Sequence, residues 1–114
     1  MRKQFLVVLM AIILMTCGVA FGQTSSGEIR GRVADTADAV IVGARVTLTN
    51  QSTHEKRSAT TNSQGEFVFV ALQPGNYSVL AESTGFKTFE KRDMVLSASD
   101  RLSAGTLLLR PGSV

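Results

Sequence analysis

The stretch Gly65-Glu-Phe-Val-Phe-Val-Ala-Leu-Gln-Pro-Gly-Asn-Tyr77 decides the fold class of this chain. Its first half places two phenylalanines on one face and two valines on the other, which is the two-residue period of a β-strand. Pro74 and Gly75 follow in the order that turns prefer, and Tyr77 opens a second strand. The stretch therefore predicts a strand, a tight turn and another strand, as at the corner of a β-sandwich.

Four residues of this corner are assigned structural roles. Gly65 ends the turn Asn62-Ser63-Gln64-Gly65, where it supplies a positive φ. Pro74 and Gly75 make the second turn. Tyr77 is predicted to bury its ring and to bond its hydroxyl to the backbone, as in other sandwiches; the alternative role is a platform on which a sugar stacks. A strand that is apolar on both faces is expected in the interior of a sandwich or beneath a second layer.

Outward from the corner, short strand patterns alternate with turn signals roughly every ten residues, and no segment of the mature part keeps a helical period. This spacing predicts an all-β protein, a single seven-stranded Greek-key sandwich over residues 27–110. A bulge or break is expected in the sixth strand, since its apolar residues do not alternate strictly. The tail 111–114 is expected to fray. The predicted strands are 28–33, 44–50, 56–61, 66–72, 77–82, 86–96 and 103–110.

The first 22 residues have the pattern of a secretory signal peptide. Arg2 and Lys3 are followed by the apolar run Phe5–Met15, and Ala20-Phe21-Gly22 supplies small residues for cleavage before Gln23. Residues 23–26 are expected to form a disordered leader. The protein is therefore expected to be exported, to the periplasm, the outer membrane or the extracellular space, with no membrane span in the mature chain.

Two alternatives for the N-terminus stay open. One is an uncleaved anchor, which the short apolar run disfavours. The other is lipidation at Cys17. It is disfavoured because a bulky Met15 and a Thr16 precede the cysteine, where smaller residues are usual.

Composition excludes several function classes. Cys17 is the only cysteine, so the mature part has no thiol chemistry, no disulfide and no cysteine-based metal site. Of the 12 basic and 9 acidic residues, two basic ones leave with the signal peptide. The remainder is close to neutral, which argues against a nucleic-acid partner.

Five motifs occur in an order and at spacings that resemble the carboxypeptidase regulatory-like domain. They are Gly31-x-Val33-x-Asp35, Ala39-Val40-Ile41-x-Gly43-Ala44-x-Val46-x-Leu48, Gly65-x-Phe67-x-Phe69, Leu72-x-Pro74-Gly75-x-Tyr77 and Gly85-Phe86. The resemblance implies a prealbumin-like, immunoglobulin-like sandwich with a non-catalytic accessory or binding role. Such domains occur in exported proteins, often at the N-terminus of TonB-dependent outer-membrane receptors.

Two positions depart from the family pattern, and the chain ends early for a receptor. Asp38 stands where the family usually has Gly, and Val42 where it usually has Pro. Asp tolerates left-handed backbone better than most residues, so the loop is expected to survive. No receptor plug or barrel follows Val114, so we expect either a stand-alone module or a truncated receptor.

Catalytic chemistry is not expected. His54 is the only histidine and sits in a polar loop; without a second His or a Cys it predicts no zinc site and no cofactor. The leading hypothesis is a non-enzymatic module with an accessory or protein-interaction role at the cell envelope, and the alternative is a carbohydrate-binding module. If an aromatic side chain contacts a ligand, Phe86 and Phe89 are the candidates, because their segment is polar and irregular.

Overall fold

The computed structural model describes residues 2–15 and 26–112. Helix α1 covers Arg2–Met15, and nowhere in the described ranges is a helix both long and apolar enough to cross a membrane. The predicted cleavage before Gln23, the alternative of lipidation at Cys17, and residues 23–25 and 113–114 lie outside the described residues.

The predicted all-β, seven-stranded sandwich is confirmed. The strands form a three-stranded sheet in the order β4-β1-β7 and a four-stranded sheet in the order β3-β2-β5-β6. All neighbours are antiparallel except β1 and β7, which run parallel. The strands are β1 (Gly27–Asp35), β2 (Arg45–Asn50), β3 (Lys56–Thr60), β4 (Glu66–Leu72), β5 (Gly75–Glu82), β6 (Phe89–Leu96) and β7 (Arg101–Leu109).

One hydrophobic core lies between the two sheets. It takes alternate residues from each strand, since successive side chains of a strand point to opposite faces. The largest fully buried side chains are Ile29, Val33, Val46, Leu48, Leu72, Val79, Leu96, Leu107 and Leu109. The rings of Phe67 and Phe69 pack edge to face, with centroids 5.9 Å apart.

Thr61 is the one buried polar side chain among the described residues. Its hydroxyl donates to the carbonyl oxygen of Ile41 at 2.7 Å and accepts from the amide of Ala44 at 2.8 Å. The hydroxyl thereby closes the 41–44 turn, in which Gly43 has φ +76°. The segment after β3 is thus held to the segment before β2 from inside the protein.

The strand β4 is placed differently from the sequence-based expectation. It is apolar on both faces, yet it forms an edge of the three-stranded sheet, and within the described residues no second layer covers its outer face. Val68 and Val70 on that face are 49% and 55% exposed. Periodicity identifies a strand with two apolar faces, but it does not say whether both faces are covered.

The expected irregularity in the sixth strand is confirmed, and the expected frayed tail is corrected in part. The register of β5 and β6 shifts between Tyr77 and Val79. The tail prediction is wrong for Pro111 and Gly112. Pro111 bridges to Phe86, and the amide of Gly112 donates to Gly85 O at 2.9 Å, because the chain after β7 runs antiparallel to the segment before β6.

Candidate interaction surface

A surface depression with a volume of about 680 Å³ is open to solvent. It extends from β3 across the three-stranded sheet. The side chains that line the depression include Arg30, Arg32, Thr60, Glu66, Val68 and Thr106. Its lining therefore combines charged, hydroxyl and aliphatic groups.

The arginines of β1 on the outer face of the three-stranded sheet are paired with carboxylates. The carboxylate of Glu28 lies 2.6 Å from Arg30 and 3.6 Å from Arg101. Arg32 lies 3.1 Å from Asp38 Oδ1 and also donates to the Asp38 carbonyl oxygen. These pairs are at or near the surface, where each contributes little to stability. Their effect is to fix the arginine side chains on this face.

Aliphatic side chains are exposed on the same face. Besides Val68 and Val70 on β4, Leu108 on β7 is 47% exposed. Solvent-facing strands of antiparallel sheets usually carry polar residues on the outer side. Contiguous exposed apolar side chains, rather than single ones, mark surfaces that contact other molecules, and Val68 and Val70 are neighbours on one face of β4.

Side chains cap the open edge of β4. The side-chain Oδ1 of Asn62 accepts a hydrogen bond from the backbone N–H of Glu66 (2.9 Å). The backbone N–H of Asn62 in turn donates to the carbonyl oxygen of Glu66 (3.0 Å). Further along, the guanidinium of Arg57 donates to the carbonyl oxygens of Val70 (2.8 Å) and Ala71 (3.4 Å). Ala71 has φ +56°, so the arginine stabilises a bulge where a non-glycine residue is left-handed.

Side chains also cap the edge of β7 and the bulge of β6. Lys91 Nζ on β6 donates to Ala104 O at 3.1 Å, and Ser103 Oγ accepts the amide of Gly105 at 3.1 Å. In β6, the amide of Asp93 donates to Gln51 Oε1 at 3.1 Å. Exposed strand edges invite pairing with other chains, and these contacts interrupt such pairing at three places.

The four corner residues lie at the two ends of β4: Gly65 precedes its start, and Pro74, Gly75 and Tyr77 follow its end. Gly65 has φ +73°, and a Cβ there would meet Val33 O at 2.8 Å. Tyr77 is 4% exposed, and its hydroxyl donates to the carbonyl oxygen of Gln73 at 2.6 Å. Pro74 is exposed, whereas Gly75 already belongs to β5 and does not have a positive φ. The structural role of the set stays a prediction.

Phe86 and Phe89, the aromatic candidates for ligand contact, are half-buried and pack against the core. Phe86 also belongs to the bridge with Pro111. Over residues 26–112, every aromatic side chain is buried or half-buried. Neither phenylalanine therefore offers a fully exposed ring.

The titratable residues do not form a reactive cluster. His54 lies in the exposed loop between β2 and β3 with φ +62°. In residues 2–15 and 26–112, no group of three His, Cys, Asp or Glu side chains is placed to hold a metal ion. What the described surface offers is an open depression, paired charges and exposed aliphatic groups.

The caps and exposed valines were not identified from the sequence. The Asn62-to-Gly65 turn signal marked the position of Asn62 but not its bonds to Glu66. The roles of Arg57 and Lys91 could not be predicted, since their acceptors lie on strands of the other sheet. No pattern within one strand reveals such a contact.

Comparisons with known proteins agree with this picture. The family model described as carboxypeptidase regulatory-like domain matches residues 28–109, which confirms the resemblance. Among curated proteins, no sequence match was found. The family match indicates a non-catalytic β-sandwich module.

Solved structures share the fold at low identity. A 3-chlorocatechol 1,2-dioxygenase from Rhodococcus opacus 1CP aligns with TM-score 0.62 and 9% identity, over 82% of this chain and 62% of that one. The Bacillus anthracis TIE protein aligns with TM-score 0.58 and 18% identity, over 75% and 17% of the two chains. A streptococcal ancillary pilin gives TM-score 0.62 and 15% identity, over 78% and 33%. This chain thus spans only part of each, and at these identities the likeness is one of fold alone.

Proposed function

The chain belongs to the carboxypeptidase regulatory-like domain family, and on that premise we propose that it is an exported interaction module of the cell envelope. Its role in this proposal is accessory: it contacts a partner protein and carries out no reaction. The signal-like N-terminus supports export. The proposal also includes attachment, as an N-terminal extension, to a TonB-dependent receptor.

The observation that carries the interaction role is the outer face of the three-stranded sheet. Val68, Val70 and Leu108 are exposed there beside arginines held by ion pairs. Interfaces combine apolar contact area with arginine and a polar rim. Burying the exposed parts of these side chains against a partner would be favourable at about 25 cal/mol for each Å² of apolar area.

No observation favours the carbohydrate-binding alternative. Sugar sites in proteins use aromatic faces as platforms, and the aromatic rings over residues 26–112 are packed into or against the core. Titration of the protein with polysaccharides, followed through Tyr77 fluorescence, is expected to give no response.

Export is tested by fractionating cells that express the full chain and sequencing its N-terminus. The expected result is an envelope fraction whose chain begins at Gln23. Full-length chain in the cytoplasm would overturn the export proposal.

The interaction is tested by photo-cross-linking in the native host, with a photoreactive residue at Val68 and a matched one at Thr47 on the outer face of the other sheet. The expected result is a discrete protein adduct from position 68 and a weaker one or none from position 47. Equal adducts from both positions, or none from either, would contradict it. Identification of the adduct as a TonB-dependent receptor, or a reading frame continuous with one, would support the receptor setting.

A further inference from the structure

We infer that the free edge of β3 is a strand-addition site for an extended segment of a partner protein. This inference rests on the proposed interaction role and specifies where and how the partner is held. Capping side chains interrupt the edges of β4 and β7, whereas over residues 26–112 no side chain bonds the outward backbone groups of β3.

The register of β2 and β3 identifies those outward groups. The amide of Asn50 bonds Glu55 O, and the amide of Thr61 bonds Ala44 O. Hydrogen-bonded pairs alternate along an antiparallel ladder, so the pairs between these two ends fall at Leu48/Arg57 and Val46/Ala59.

The backbone groups of the alternate residues in β3 therefore face away from β2. These residues are Lys56, Ser58 and Thr60. Three N–H and three C=O groups at a two-residue spacing match one edge of an extended segment of about five residues.

β4 lacks an equivalent row. Hydrogen-bonded pairs alternate in the same way between β1 and β4. The backbone N–H and C=O groups of Glu66, Val68 and Val70 therefore point away from β1. Asn62 already bonds both groups of Glu66, and Arg57 bonds the carbonyl oxygen of Val70. Of the β3 and β4 edges, only β3 therefore offers a partner strand a continuous row of unbonded backbone groups among the described residues.

Space for the partner lies beside this edge. The 680 Å³ depression is lined by Ala59 and Thr60 of β3 and by Glu66, Phe67 and Val68 of β4. Side chains of an added strand that point inward would enter this depression and cover Val68. The exposed valine and the free edge thus belong to one surface.

Charge indicates the chemistry of the partner. Lys56 on β3 and Arg45 on β2 are exposed on the outer face of the four-stranded sheet, and neither takes part in an ion pair among the described residues. Cross-strand pairs of opposite charge stabilise sheets. The partner segment is therefore extended and carries a carboxylate side chain near Lys56.

Lysine on an edge strand also has a protective role, since it discourages pairing between edges. The two readings predict different behaviour. If Lys56 only protects the edge, the wild-type protein adds no strand. If it recognises a carboxylate, acidic extended peptides are selected by the wild type and lost when the lysine charge is removed.

The experiment uses the full chain, purified as the host processes it, and a library of short random peptides. Enriched peptides are added to labelled protein, and amide exchange is measured by NMR. We expect peptides with an acidic residue and alternating aliphatic residues, and a slowing of exchange of at least tenfold at the amides of Lys56, Ser58 and Thr60.

The matched variants are Ser58→Pro and Ser58→Ala. Only the proline removes the backbone N–H, which faces away from β2, the position where proline is tolerated on an edge. Ser58→Pro is expected to abolish peptide binding, whereas Ser58→Ala retains the N–H and the slowed exchange at β3. Lys56→Gln is expected to weaken binding of the acidic peptides about tenfold.

Peptides that slow exchange only at β6 or β7, or that bind Ser58→Pro as well as wild type, would overturn the β3 site and leave the interaction role standing. Failure to enrich any peptide would overturn strand addition. The interaction role itself fails if cross-linking gives equal adducts from positions 68 and 47 or none from either, so the two failures are distinguishable.

Discussion

Replacing Thr61 by Val removes the one buried polar side chain described in the sandwich while keeping its shape. The change leaves the carbonyl oxygen of Ile41 and the amide of Ala44, now bonded at 2.7 and 2.8 Å, without partners. An unsatisfied buried polar group costs about 1–3 kcal/mol. Partial relaxation of the turn lowers the sum, and we expect the free energy of unfolding to fall by about 2–4 kcal/mol.

The assay is equilibrium urea unfolding followed by far-UV circular dichroism, with the free energy extrapolated to water. For a domain of this size the expected loss corresponds to a fall in Tm of roughly 10–25 °C. Thr61→Ser keeps the hydroxyl and loses one methyl group, so it should cost only about 1 kcal/mol. Thr60→Val, at the exposed neighbour, should change stability by less than about 0.5 kcal/mol. If Thr61→Val were as mild as Thr60→Val, the hydroxyl would not hold the turn and the reasoning would be refuted.

Four further substitutions test other contacts by the same unfolding assay. Gly31→Ala places a Cβ 2.5 Å from the Phe67 ring and should lower the free energy of unfolding by about 1–3 kcal/mol. In Gly75→Ala the new Cβ meets only contacts of 3.8 Å or more, so this control should be neutral or slightly stabilising. Equal effects of the two substitutions would contradict the close approach at Gly31. Asp38→Gly should stabilise by up to about 1 kcal/mol, because the φ of +63° favours glycine, and a clear loss would mean that its ion pair outweighs the strain. Tyr77→Phe should cost about 1 kcal/mol through the lost hydrogen bond to the preceding turn, and an unchanged urea midpoint would argue against that bond.

Local pattern predicted a large part of the fold. The strand β4 was predicted at both ends as the structure has it, and β5 was predicted to begin at Tyr77, two residues after its start at Gly75. These predictions succeeded because alternation and turn residues act over neighbouring positions. The order in which the strands pair was implied by the family resemblance, because no local pattern specifies it.

Less of the candidate surface could be predicted from the sequence. Phe86 and Phe89 were chosen because their segment is polar, yet their rings pack against the core. Val68 and Val70 were expected to be covered and are exposed. Each outcome depends on what lies across from the strand, which sequence periodicity does not record.

The sequence by itself determined a Greek-key sandwich, an N-terminal segment with the pattern of an export signal, and the absence of cysteine after Cys17. The tertiary structure alone decided which strand edges are closed. Arg57 and Lys91 reach carbonyl oxygens on strands of the opposite sheet, while the outward backbone of β3 has no such cap over residues 26–112. The physical reason is that a hydrogen bond needs its two partners within about 3 Å, and only packing of the two sheets brings residues so far apart in the chain to that distance.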